Sequence, residues 1–275
     1  MKILITGGTG FMGRQLTPLL EEDGHDVTSL GSKDLNLTIT EDVDNFFQKN
    51  SFDVLIHASV VGGRINIDDT PKVYYTNLLM FENVYRHIDK VKMFINLDSG
   101  ASFGRPSIFK YPKESDFGMV VPKDYYGFSK YCMARTILDH PKGINLRLFG
   151  CFGSNEKTDR FFIKNIKNYM SGNPIEIYKD REMDYIYIKD FYSILKTYLN
   201  NEWKYKDLNC VYNQKYSLSQ IANIINQLSN NKVRVELQGQ YAMHSYCGSG
   251  DLLKSLNIKM IGIEGGIREC YENLC

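Results

Sequence analysis

The sequence predicts an α/β fold: a doubly wound parallel sheet with a smaller C-terminal α/β lobe for substrate. Three observations predict it. Short apolar runs alternate with stretches of helical periodicity through the first half of the chain. Those runs are apolar throughout rather than at every second residue, as in parallel strands covered on both faces. The second half keeps both element types but loses the strict alternation, as in a separate smaller lobe.

The elements follow in order. Lys2–Thr6 reads as the first strand and Phe11–Glu22 as the helix after it. His25–Leu30 and Ile39–Lys49 form the second strand and helix, and Asp53–His57 and Pro71–Ile88 the third pair. Lys92–Leu97 precedes a helix over Lys123–Asp139, and Asn145–Phe149 is the fifth strand. Beyond it, Phe161–Ser171 is a helix ended by Gly172-Asn173-Pro174. Ile175–Tyr178 and Tyr185–Ile188 read as strands, Leu218–Ser229 as a helix, and Asp251–Cys275 as short helices among glycine turns. The expected division is a dinucleotide-binding domain over 1–150 plus about 185–212, and a substrate-binding lobe over about 151–184 and 213–275. The chain is expected to return to the first domain around Asp190–Leu199. A ligand cleft belongs beyond the carboxyl ends of such strands.

Bulk properties exclude several classes. The chain has 275 residues and a formal net charge of +1, so no global basic field draws it to nucleic acid or a membrane. The six cysteines fall in no ligand-spaced cluster, so a metal site is not expected and they read as free thiols of a reducing compartment. Lys2–Ile5 is too short for a signal-peptide core, and no apolar run approaches about 18 residues. The expected location is the cytoplasm.

Chemistry begins at Thr6-Gly7-Gly8-Thr9-Gly10-Phe11-Met12-Gly13, which follows a strand and opens a helix. Gly7 permits a tight turn, Gly10 a close approach of backbone to pyrophosphate, and Gly13 close helix packing. The phosphates would sit over the free N–H groups of the helix start. This is the Rossmann arrangement. An NAD-specific site usually carries an acid after the second strand, whereas here Ser32 and Lys33, with Arg14, suit a 2′-phosphate. The reading favours NADP (NADPH over NADH), with Asp34 the alternative ribose partner.

Tyr126 and Lys130 stand at i and i+4, on one helical face. A free tyrosine titrates near about 10. A neighbouring ammonium favours the phenolate and so makes the phenol a better proton donor. YxxxK alone is a common pattern, but Ser99 lies at the end of an apolar strand 27 residues upstream. Its hydroxyl can polarise the same carbonyl oxygen. Ser102 is the competing serine. The lone histidines His25, His87, His140 and His244 read as surface or capping residues, and His57 as structural.

With these residues in place, the chain resembles the extended short-chain dehydrogenase/reductase family: nucleotide-sugar epimerases, dehydratases and reductases. The resemblance runs along nearly the whole chain. It rests on Gly7–Gly13, Ile56-His57-Ala58-Ser59, Asn77, Ser99, Tyr126 with Lys130, Leu146-Arg147-Leu148-Phe149 and Asp184–Asp190. It implies that Ala58, Ser59 and Val60 pass beneath the cofactor and that Asn77 orders the site. It adds Thr9, Phe11, Met12, Leu37, Leu97 and Phe149 to the expected cofactor contacts. Lys130 would also hold the nicotinamide ribose.

Within the family, Val61-Gly62-Gly63 and Asp34-Leu35-Asn36-Leu37 are most similar to GDP-fucose synthase-like 4-ketoreductases. The resemblance places Ser99, Ala101, Ser102, Phe103, Tyr126 and Gly150 toward the sugar. Arg64, Arg160 and Arg181 are the candidates for the diphosphate or sugar hydroxyls. The departures are informative. Ala101 stands where the epimerising cysteine would be, and Arg160 about where its histidine partner would be. Gly100-Ala101 replaces the Asp-Glu of the dehydratases, Gly150 a substrate-binding Asn, and Met183 a phosphate-binding Arg. Epimerisation needs a base and an acid on opposite faces, and neither expected group is present. The resemblance therefore implies reduction of a nucleotide-linked 4-keto-6-deoxy hexose or heptose, GDP favoured, without epimerisation. The alternatives are an epimerase retaining NAD and a non-catalytic dinucleotide sensor. A homodimer through Pro71–Ile88 and Lys123–Asp139 is implied in the same way.

Overall fold

The computed structural model describes residues 1–64, 68–239 and 244–275, and it separates the chain into two units. The first comprises Met1–Arg105, Glu114–Arg147 and Tyr205–Leu208. The second comprises Pro106–Lys113, Leu148–Lys204 and Asn209–Cys275. Residues 106–113, 148–150, 185–204 and 209–212, expected with the first domain, lie in the second unit. Residues 106–113 cluster with the second unit, where the Tyr111 hydroxyl donates to Glu182 at 2.6 Å. Residues 185–204 do so too, because the helix there is tied to that unit by Asp190, which accepts from the amides of Ile261 and Gly262 at 2.7 and 2.8 Å.

The first unit is built on β1 (Lys2–Thr6), β2 (Asp26–Leu30), β3 (Val54–His57), β4 (Met93–Ser99) and β5 (Gly143–Leu148). With β9 (Asp207–Asn209) they make a six-stranded sheet in the order β2-β1-β3-β4-β5-β9. The pairs β1–β2, β1–β3 and β3–β4 are parallel. Each crossover is a helix: α1 (Phe11–Glu22), α2 (Thr40–Lys49), α3 (Pro71–Tyr85) and α4 (Tyr125–Asp139). Leu4, Leu55 and Phe94 pack in one core with Val43 and Phe47 of α2, Phe81 and Val84 of α3, and Met133 and Ile137 of α4. Side chains alternate along a strand, so Ile3 and Ile5 face the other way. Leu16 and Leu20 of α1 are buried there beside β1 and β2. Each such fully buried side chain contributes about 1.5–3 kcal/mol. The doubly wound sheet expected from the sequence is the observed one.

α3 stops at Tyr85 rather than Ile88. Nε2 of His87 bonds Asp44 at 2.8 Å and its ring stacks on Phe47 at 4.4 Å. The chain then tightens into a 3-10 turn over Ile88–Lys90 and drops Ile88 into the core. Asp34–Leu37 forms no strand. Leu35 and Leu37 enter the core from a turn closed by Asp34, whose carboxylate accepts from the Gly31 amide at 2.8 Å.

The second unit holds two short parallel pairs: β6 (Cys151–Phe152) with β8 (Ile186–Tyr187), and β7 (Ile175–Ile177) with β10 (Val235–Leu237). Around them lie α5 (Phe161–Met170), α6 (Ile188–Leu199), α7 (Leu218–Ile225), α8 (Asp251–Ser255) and α9 (Gly262–Glu272). α7 starts with a capping box between Ser217 and Gln220. Phe152 and Phe162 stack at 3.9 Å in the core of this unit. Among the described residues no helix is long and apolar enough to cross a membrane.

Candidate active site

The glycine turn is forced by its neighbours. Gly7 has φ +76°, and a Cβ there would lie 2.8 Å from the carbonyl of Ala58. A Cβ on Gly13 would lie 2.5 Å from Cα of Gly8, so this glycine packs α1 against the turn itself rather than against a strand. The sequence reading overlooked Gly8 and Gly31. A Cβ on Gly8 would meet Ser29 Oγ at 2.4 Å, and one on Gly31 would meet the Thr9 side chain at 2.5 Å. The turn therefore rests on the end of β2. Among the described residues no side chain caps α1, and its first turn carries no acid. Its N–H groups are open to an anion, with Thr9 and Gly10 exposed and Phe11 and Met12 half-buried beside them.

At the end of β2, Ser32, Lys33 and Arg14 are exposed. Asp34 is the other candidate, but its carboxylate closes its own turn through Gly31. The Leu37 side chain is 7% exposed within the core and its carbonyl accepts from Nδ2 of Asn83 at 2.9 Å. Past β3, Ser59 is buried and Val60 exposed. Asn77 clamps the next residue from α3: its Oδ1 accepts from the Val61 amide at 2.8 Å, and its Nδ2 donates to the Val61 carbonyl at 3.0 Å and to Ser129 Oγ at 3.1 Å.

α4 begins at Asp124, whose Oδ1 accepts from the Gly127 amide at 2.8 Å. Two residues past the cap Tyr126 is half-buried, and one turn further on Lys130 is 3% exposed. Lys130 Nζ donates to the carbonyl of Leu97 in β4 at 2.7 Å. This bond brings the helix to the strand that ends in Ser99. Ser99 Oγ accepts from the Ala101 amide at 3.2 Å.

The rival serine is committed elsewhere. Ser102 is fully buried, its hydroxyl lies 2.9 Å from Asp98 Oδ2 and 2.8 Å from the Ser99 carbonyl, and it accepts from Arg147 Nε at 3.0 Å. Ala101 is equally buried, and Phe103 is covered by the Arg147 guanidinium at 4.5 Å. These three, expected toward the sugar, have almost no surface to offer one. Arg147 also bonds Asp98 at 2.7 Å and Asp207 at 2.9 Å, a buried network that a charge inside an apolar strand could have signalled. His57 is structural. It is buried, hydrogen-bonded to Thr6 at 2.9 Å, and pushed down to about 3 by burial and then by Lys130.

Burial pushes the Lys130 amine down to about 8, against the pull of Asp98. Between that value and its unfolded one, the folded chain binds fewer protons than the unfolded chain, so stability rises with pH. Relative to Lys130→Met, the protein is expected to gain about 2 kcal/mol of unfolding free energy from about pH 7 to about pH 9.5. Denaturant midpoints of both proteins at each pH measure it. A constant difference would contradict burial of the ammonium.

In the second unit Phe149 and Gly150 serve packing. Phe149 is 8% exposed and its ring lies 5.3 Å from that of Tyr246. A Cβ on Gly150 would strike the Tyr185 ring at 2.6 Å, so Tyr185 fills the space a side chain there would take. Arg64 is exposed in the first unit. Arg160 is half exposed and pairs with Glu156 at 3.2 Å, whose carboxyl burial pushes up to about 7. Arg181 lines a cavity of about 730 Å³ in the second unit, with Lys110, Glu182, Ser219 and His244. Its Nη2 reaches the sulfur of Met183 at 3.6 Å, beside the position the sequence leaves without its arginine. Asp180 is held by Ser219 at 2.6 Å and Glu182 by Tyr111, so both acids on this wall are engaged.

The pattern that defines the NAD dependent epimerase/dehydratase family matches residues 3–210. The chain belongs to this family. Among curated relatives, it is 24% identical to a GDP-6-deoxy-D-talose 4-dehydrogenase of Aggregatibacter actinomycetemcomitans, over 99% of this chain and 98% of that one. Among solved structures it superposes with a TM-score of 0.80 on a GDP-mannoheptose C4 reductase from Campylobacter jejuni with NADP bound, at 18% identity over 98% of this chain and 97% of that one. It superposes equally, at 0.80, on the UDP-glucose 4-epimerase of Thermus thermophilus with NAD, at 16% identity over 99% and 98%. Both likenesses are to the epimerase/dehydratase fold.

Proposed function

We propose that this protein reduces the C4 ketone of a nucleotide-linked 4-keto-6-deoxy hexose or heptose with NADPH, without epimerisation, and that GDP is the favoured nucleotide. One observation carries the reading. Tyr126 stands one turn from a buried Lys130 tied to the strand that ends in Ser99, while the next two positions, Gly100 and Ala101, hold no acid or base. The uncapped glycine turn fits a pyrophosphate, and exposed Ser32 and Lys33 fit a 2′-phosphate. The names of the GDP-sugar relatives support the substrate class.

NADPH would supply the hydride to C4. The chain supplies the rest. The Tyr126 phenol donates its proton to the C4 oxygen as negative charge gathers there, and the phenolate regains a proton from solvent. Ser99 Oγ donates a hydrogen bond to the same oxygen. The Lys130 ammonium favours the phenolate product. The ketone gains one hydride and one proton and leaves as the alcohol. Within the second unit, Arg181 and Lys110 on the cavity wall are cations of the kind that bind a diphosphate.

The test follows NADPH absorbance with GDP-, UDP-, dTDP- and CDP-4-keto-6-deoxy sugars, with NADH in parallel. The expected result is oxidation with a GDP-linked substrate and a preference for NADPH of about ten-fold or more, one charge pair's worth. No oxidation with any of the four would sink the reductase reading. Copurifying NAD with turnover but no net oxidation would replace it with an epimerase.

A further inference from the structure

Arg105 lies just past the 3-10 turn Gly100–Phe103. Its guanidinium pairs with Asp124 and stands 3.6 Å from Asp69. Each carboxylate already holds a piece of backbone beside Tyr126. Asp124 caps α4 through the Gly127 amide at 2.8 Å. Asp69, with its side chain 7% exposed, accepts from the Gly63 amide at 3.0 and 3.2 Å. Gly63 has φ +77°, and a Cβ there would lie 2.7 Å from Cζ of Tyr126. The phenol ring therefore leans on the Gly63 backbone and is carried by α4, and Arg105 joins the two acids that hold both. The guanidinium carbon of Arg105 is also 5.2 Å from the centre of the Tyr126 ring.

We propose that Arg105 is a positioning residue for Tyr126, holding the ring between α4 and the Gly63 loop and adding a second cation that makes the phenol a stronger acid. A cation within about 6 Å of an aromatic face is attracted by the ring, and more strongly once the ring is a phenolate. Charged groups around this arrangement are Asp124 at the cap of α4, Lys130 one turn further along it, and Asp69 on the loop after β3; Asp98 on β4 and the neutral His57 on β3 interact with Lys130. Removing Arg105 takes away one cation and leaves Asp69 and Asp124 without their shared partner. Both changes favour the protonated phenol.

The inference rests on the role of Tyr126 proposed above, and its test separates the two. The ultraviolet tyrosinate titration of the protein, minus that of Tyr126→Phe, reports this one phenol and needs no substrate. In Arg105→Gln the midpoint is expected to rise by about one pH unit, and Arg105→Lys is expected to restore most of it. Asp69→Asn removes a carboxylate and is expected to lower the midpoint. In turnover, Arg105→Gln is expected to lower kcat about ten-fold at little change in KM for the sugar, with the alkaline limb displaced upward to match. An unmoved midpoint in Arg105→Gln, or the same rise in Arg105→Lys, overturns the inference. If Arg105→Gln does not fold, a midpoint that stays or rises in Asp69→Asn overturns it. Shifted titrations with no turnover on any sugar would leave the inference standing and remove the reductase reading.

Discussion

Tyr126→Phe is expected to lose about 10²- to 10⁴-fold in kcat, the range that one positioned general acid supplies. The substitution removes a single oxygen from a half-buried ring and leaves the Gly63 contact and the Asp124 cap in place. NADPH affinity and melting temperature are therefore expected to stay close to those of the parent, as read by cofactor fluorescence and thermal unfolding. Lys130 is 3% exposed and keeps its bond to Leu97, so the cofactor side of the site survives. Turnover within ten-fold of the parent (roughly 1.4 kcal/mol of barrier) would move the proton donor to another residue. Loss of both cofactor binding and stability would instead assign Tyr126 to the scaffold.

Arg147→Met is expected to destabilise the first unit by about 3–5 kcal/mol. The guanidinium is fully buried between Phe103 and Phe117, at 4.5 and 4.9 Å, and it bonds Asp98 and Asp207. Methionine fills much of the volume but leaves Asp98, whose side chain is also fully buried, without its counter-charge. Removing one member of a buried pair is costly because the other charge stays desolvated. Against a total of about 5–15 kcal/mol, the loss is large enough to move a urea midpoint far down. Adding Asp98→Asn is expected to recover part of it. A single variant within about 1 kcal/mol of the parent would show that the network does not hold the Ser99 turn.

The elements that sequence analysis placed well have local signals. β1 and α1 match residue for residue, because a glycine turn separates an apolar strand from an amphipathic helix. The segments it missed, β6, β9 and β10, are two or three residues long and exist only through a partner strand. α6 went unrecognised although Ile188, Phe191, Tyr192, Leu195 and Tyr198 recur at helical spacing. The same helix joins the second unit through the clamp from Asp190 to Ile261 and Gly262, which spans 71 and 72 residues.

By itself the sequence determined the strand–helix order, the glycine turn between β1 and α1, and the Tyr126–Lys130 face, each a pattern within a few residues of chain. Only the tertiary structure decided that Ser102 joins the buried network of Arg147, whose guanidinium reaches it from 45 residues away. Only it showed that Leu37, Ala101 and Phe103 are buried. Arg105 too had no signature. Its partners lie 19 residues along the chain at Asp124 and on the loop at Asp69, and no local period encodes contacts that form only when separate crossovers of the sheet converge.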